Sequence, residues 1–127
     1  MNSKIYKNNS ATQERLVGWL VSYALNEMGY YYEIRSGRSL ITSERAESIR
    51  LLTLEEDSVS APHAALRATP KHKVMIQDIF SESGTYITKT DNKEIPINGP
   101  MKLEHGDWIR VGKNSRFQVC LIDGPSK

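Results

Sequence analysis

Ser60-Ala61-Pro62-His63, read with Gly37-Arg38 upstream and Ser83-Gly84-Thr85 downstream, is the set of residues around which this chain is organised. Taken singly the three pieces are ordinary: a loop serine three places before a histidine, a common dipeptide and a plain turn. Their order carries the reading, because each lies between short runs of β-forming residues. Strands that bring the three loops to one end of a sandwich set an arginine fork, a serine hydroxyl and a second polar loop around one point. Such a point is a seat suited to a phosphate. Pro62 biases Ala61 to an extended conformation, which keeps the central stretch out of helix.

Working upstream, residues 49–54 read as a strand with Ile49 and Leu51 on one face and Leu52 and Leu54 on the other. Residues 43–48 are a polar, charged loop, and residues 38–42 a strand that follows the Ser36-Gly37 turn. In the strand over residues 30–35, Tyr30, Tyr32 and Ile34 share one face and Tyr31, Glu33 and Arg35 the other. Residues 16–23 are dense in β-formers. A helix running on to Met28 and stopped by Gly29 is the alternative there, disfavoured by Gly18 and by the turn chemistry of residues 26–29. Downstream, residues 63–68 and 74–79 form a hairpin around the basic turn 69–73. Further strands cover residues 85–88, 95–97 (edge-like, carrying Pro96), 108–111 and 117–122, with turns at Asp91-Asn92, Asn98-Gly99-Pro100 and residues 104–107. Ten or eleven short strands, with a turn every six to twelve residues, predict an all-β sandwich or barrel.

Composition narrows the function classes. With 127 residues, one domain with a genuine core is expected. Its boundaries are read as a polar leader over residues 1–14, a folded unit over 15–123 and the start of a tail or linker at 124–127. A formal charge of +2 argues against duplex nucleic acid as a partner, and the tyrosine run at 30–32 reads as packing rather than a base-stacking platform. No stretch approaches the ~18 apolar residues that cross a bilayer, and the N-terminus lacks the apolar segment of a secretory signal. Cys120 is the only cysteine, so no internal disulfide forms; it reads as a buried core thiol in a cytoplasmic protein. His63, His72, His105 and Cys120 lack the close spacing of a metal site, and no Gly-x-Ser-x-Gly elbow surrounds Ser60. Neither a metal, a cofactor nor an enzymatic activity is expected.

The motifs Gly37-Arg38, Ser60-Ala61-Pro62-His63-Ala64, Asp78-x-x-Ser81-x-Ser83-Gly84-Thr85-Tyr86-Ile87 and Leu103-x-x-Gly106-Asp107-x-Ile109-x-Val111-Gly112 stand in register with the strands. With Gly18-Trp19-Leu20-Val21 at the opening, the chain resembles a forkhead-associated (FHA) domain of bacterial type from about Leu16 to Ile122. The resemblance implies a two-sheet β-sandwich that captures phosphothreonine peptides in the loops at one end. It assigns phosphate binding to Arg38 and Ser60, and peptide contact to Ser83, Glu82, Ala61 and Ser43. Gly37, His63, Gly84 and Thr85 are assigned structural support: His63 as a loop brace, Gly84 for its turn conformation and Thr85 for an internal hydrogen bond. The chemistry suits the residues, since a planar guanidinium grips two phosphate oxygens and a serine hydroxyl donates to a third.

The chain departs from the family pattern at several of these positions. Ser83 stands where asparagine is usual, Glu82 where a threonine or basic residue is frequent, Ala61 where a polar or basic side chain is common, and Thr42-Ser43 where Gly-Arg is frequent. Glu55, Glu56 and Asp57 add negative charge, with Arg67, Lys71 and Lys73 as candidates to offset it. The expected function is a phosphothreonine-peptide reader for protein–protein interaction in Ser/Thr kinase signalling, acting alone or with an output domain. The alternative is a degenerate FHA scaffold that binds a protein independently of phosphate. Thr12, followed by Gln13-Glu14, is a conceivable phosphorylation site that would pair two molecules.

Overall fold

Alternating burial along short segments builds the molecule. The computed structural model describes residues 14–44 and 50–124. The expectations placed on residues 1–13, including Thr12, and on 125–127 lie outside the described residues, as does most of the 43–48 loop. Among the described residues there are eleven strands: β1 (Leu16–Ser22), β2 (Tyr30–Arg35), β3 (Gly37–Thr42), β4 (Arg50–Thr53), β5 (Ala64–Ala68), β6 (Val74–Asp78), β7 (Thr85–Thr88), β8 (Glu94–Pro96), β9 (Met101–Leu103), β10 (Trp108–Val111) and β11 (Ser115–Leu121). They form a six-stranded sheet in the order β2-β1-β11-β10-β7-β8 and a five-stranded sheet in the order β4-β3-β5-β6-β9. This is the all-β sandwich that the strand pattern predicts. Among the described residues no helix is long and apolar enough to cross a membrane.

β1 is a strand, as the β-formers require, and the helical alternative over residues 16–28 is not taken up. Leu20 and Ser22 are buried inward while Trp19 and Val21, which alternate with them, are half-exposed, a pattern that a helix cannot produce. β9 is the strand that the sequence pattern did not single out. Three residues are too few to show a period, and β9 exists through its pairing with β6, Leu103 opposite Val74 and Met101 opposite Ile76.

The inner faces close over one core, in which Leu20, Ile34, Ile41, Leu52, Leu66, Ile76, Ile87, Ile109, Phe117 and Val119 are buried. Cys120 is not part of it. It lies opposite Trp19 on the outer face of the six-stranded sheet and is half-buried, because Phe117 and Val119 take the inward positions of β11.

Strand direction sorts the loops between two ends. β3 runs parallel to β4 and antiparallel to β5. The exits of β3 and β4 therefore lie beside the start of β5, together with the β6–β7 and β10–β11 connections. The β2–β3 corner, the 69–73 turn and the 104–107 turn lie at the other end.

Candidate functional site

At the first of these ends a buried imidazole ties three loops together. His63 precedes β5 and is fully buried. Its Nδ1 accepts the backbone N–H of Ser60 (2.9 Å). The ring proton therefore sits on Nε2, which donates to the carbonyl of Gly84 (2.8 Å). His63 N–H donates to Ile41 O on β3, and Ile79 N–H donates back to His63 O, so its backbone is fixed from both sides. The Ala61–Pro62 bond within this loop is cis.

The β6–β7 loop is folded on Asp78. Its carboxylate accepts the N–H (3.1 Å) and hydroxyl (2.5 Å) of Ser81 and the hydroxyl of Thr85 (2.6 Å). Partial burial raises the Asp78 pKa, but the bonds from Ser81 and Thr85 more than offset this and hold it below the usual carboxylate range. Gly84 N–H donates to Ser81 Oγ (2.9 Å). Gly84 turns with φ +85°, left-handed backbone that favours glycine, and a Cβ there would also press on the Tyr86 hydroxyl at 2.8 Å.

Ser60 is half-buried where these loops meet. Its carbonyl accepts the N–H of Ser43 (3.2 Å), and its Oγ accepts the N–H of Glu82 (3.0 Å). The bond from Glu82 uses an oxygen lone pair and leaves the Ser60 proton without an acceptor among the described residues. Glu56 ties the same loop to the β10–β11 turn through the hydroxyls of Ser58 and Ser115. Burial acts to raise the Glu56 pKa, and the bonds from Ser115, Ser58 and Asn114 outweigh it, so the group is lowered. A polar cavity of about 400 Å³ beside Ser60 is lined by Glu56, Asp57, Glu82, Ser83, Lys113 and Asn114, among others.

The structure does not bring Arg38 to Ser60. Gly37-Arg38 opens β3 rather than closing it, and Arg38 lies opposite Arg67 at the far end of β5. From Arg38 to Ser43 the strand runs five residues, about 17 Å, beyond the reach of a side chain. Gly37 goes with it and supports no loop at the Ser60 end. Arg67, Lys71 and Lys73 are also at the far end and offset none of the negative charge around Ser60. Ser43, Ala61, Glu82 and Ser83 do gather with Ser60, His63, Gly84 and Thr85. Lys113 was not singled out from the sequence. It follows Gly112 in a turn with no motif of its own, and only the cavity shows that it faces the Glu82-Ser83 loop.

Phe80 is the strained residue of this end. It is fully exposed and has φ +50°, left-handed backbone that a bulky side chain disfavours. The conformation costs about 1–2 kcal/mol, and Gly in its place would add about 0.5–1 kcal/mol of chain entropy to the unfolded state. Phe80→Gly is therefore expected to raise stability slightly, read as a higher urea midpoint at unchanged slope. A lower midpoint would show that the exposed ring makes contacts that hold the loop.

Among curated proteins a sequence search finds no match. Solved structures are similar in fold. One, from a structural and functional analysis of phosphothreonine-dependent FHA domain interactions, is 23% identical with a TM-score of 0.64, over 84% of this chain and 97% of that one. The FhaA FHA domain complexed with the intracellular domain of Rv3910 is 24% identical with a TM-score of 0.61, over 81% and 98%. Mycobacterium tuberculosis EmbR in complex with a low-affinity phosphopeptide is 21% identical with a TM-score of 0.66, over 88% of this chain and only 26% of EmbR. The sequence model of the FHA domain matches residues 34–112, more than half the chain and all of the loops built on His63 and Asp78. This chain belongs to the FHA domain family.

Proposed function

We propose that the domain, residues 15–123, is a phosphothreonine-peptide binding module for protein–protein interaction downstream of a Ser/Thr protein kinase. The observation that carries this is the state of Ser60: its oxygen is pinned by the Glu82 amide, and its proton has no acceptor among the described residues and is left to donate to a ligand. The surrounding loops are held in place before any ligand arrives, by His63 on one side and Asp78 on the other. Lys113 is the described cation lining the adjacent cavity; Glu82 and Ser83 line it too, and the bond of Ser43 to Ser60 supports assigning peptide contact to Ser43 and to the neighbouring Ala61 as well. The similar structures named above, whose subjects are phosphothreonine-dependent and phosphopeptide complexes, support the reading.

The test is titration of phosphothreonine, phosphoserine and unphosphorylated forms of a peptide library. A charge-assisted hydrogen bond contributes about 1.5–3 kcal/mol, so Ser60→Ala is expected to weaken phosphothreonine binding roughly tenfold or more. Arg38→Ala is expected to leave it unchanged. Arg45, outside the described residues, is the arginine nearest to Ser43 in sequence and belongs in the same series. Phosphothreonine binding that ignores Ser60→Ala would overturn the assignment.

The exposed carboxylates of Glu44, Glu55, Asp57 and Glu82 at this end favour one second reading, a scaffold that binds its protein partner without phosphate. Equal binding of the unphosphorylated peptides would select it.

A further inference from the structure

The outer face of the five-stranded sheet carries charge of one sign on an apolar floor. Arg38 on β3 and Arg67 on β5 are direct cross-strand partners, both exposed, and Lys102 on β9 lies on the same face opposite Met75. Directly opposed like charges destabilise a sheet. Neither arginine meets a carboxylate among the described residues. Between and beside them Leu40, Ala65 and Met75 floor a cavity of about 610 Å³, with Gln77 at its margin. The register of β3, β4, β5, β6 and β9 places no acidic side chain on this face among the described residues.

We propose that this face is a second binding surface, for an acidic segment of a partner protein in which carboxylates alternate with aliphatic residues. Charge complementarity selects the carboxylates: two planar forks rooted at directly paired strand positions offer bidentate grips that a lone surface lysine does not. The apolar floor selects the aliphatic residues. Single-stranded nucleic acid is the poorer fit, because the face has no aromatic side chain among its described residues on which bases stack. The chain's own residues 1–13 carry Lys4 and Lys7 and no acid, so they do not complement it. The surface is the outer face of the sheet, with Arg38 and Arg67 at the end of β3 and β5 away from Ser60, and its occupancy is independent of the phosphopeptide reading.

The experiment follows backbone amides by NMR in the full 127-residue chain. The probes are a short glutamate–leucine peptide, its glutamine–leucine counterpart and an oligothymidylate of similar length. The glutamate peptide is expected to shift the amides of Arg38, Leu40, Ala65, Arg67 and Met75, and the double variant Arg38→Gln/Arg67→Gln to weaken it at least about tenfold. That variant removes a repulsion, so it is expected to remain folded, and Ser60→Ala is expected to leave the shifts intact. Absent shifts on this face, equal binding of the glutamine peptide, or tighter binding of the oligonucleotide would overturn the proposal. Sedimentation of the free protein provides the remaining arm: self-association abolished by the same double variant would mean that a second copy, through its acidic loop end, is the occupant instead.

Discussion

Replacing His63 by alanine is expected to cost about 3–5 kcal/mol of stability, a fall in Tm of roughly 10–20 °C. The imidazole is fully buried, so its removal leaves a cavity that the neighbouring strand starts cannot fill without moving. It also strands the N–H of Ser60, which loses its acceptor, and takes one of two donors from the carbonyl of Gly84. Each unsatisfied group costs about 1–3 kcal/mol where water does not reach it. The Gly84 carbonyl keeps its bond from Gly112 N–H, which places it at the lower end. Urea denaturation measures the loss. A midpoint close to that of the unchanged protein would show that the loops are held by Asp78 and Glu56 alone. A folded His63→Ala protein is also expected to lose peptide affinity, because Ser60 is no longer fixed from within its own loop.

Gly18→Ala is expected to be comparably damaging, at about 3 kcal/mol or more. A Cβ on Gly18 would lie 2.3 Å from the carbonyl oxygen of Cys120, a backbone atom in the neighbouring strand. A side chain in such a place rotates away; a paired carbonyl does not. β1 is flanked by β11 and β2, so the two ladders must part or shift together. The register irregularity between Leu16 and Gly18 keeps Val17 in the core at the same point, which concentrates the damage there. Soluble expression followed by thermal melting decides the matter. A melting temperature within a few degrees of the unchanged protein would mean that the strand accommodates the methyl group by sliding.

What the sequence disclosed follows from how each feature is encoded. Strands of five or more residues with one buried face announce themselves by their period, and Leu16–Ser22, Tyr30–Arg35 and Val74–Asp78 fall where the alternation places them. Met101–Leu103 has no period of its own and owes its existence to β6. The grouping of Ser60 and His63 with Ser83, Gly84 and Thr85 was legible because β5 and β6 read as a hairpin, so that the loop entering β5 and the loop leaving β6 lie at one end. The Arg38 error has a specific source. Alternation tells which face a residue takes, but not at which end of a strand a loop lies. That depends on strand direction, and the parallel placement of β3 beside β4 is a tertiary choice invisible in either segment. Cys120 failed for a related reason: an apolar neighbourhood in sequence does not say which face of β11 turns inward, and Phe117 and Val119 had already claimed it.

The carboxylates around Ser60 have a kinetic consequence. A phosphothreonine peptide carries about −1.5 to −2 charges at its phosphate, and it approaches an end where Glu44, Glu55, Asp57 and Glu82 are all exposed. Their repulsion extends about 30 Å at 0.01 M ionic strength and only about 10 Å at 0.1 M. Under the proposed function these carboxylates oppose the pull of the chain's formal +2 charge and of Lys113, so encounter gains less from dilute buffer than the net charge alone would give. If the proposed function holds, the same local field favours ligands that bring their own lysines or arginines beside the phosphothreonine, and discrimination among phosphorylated partners then begins in the approach, before any side chain is touched.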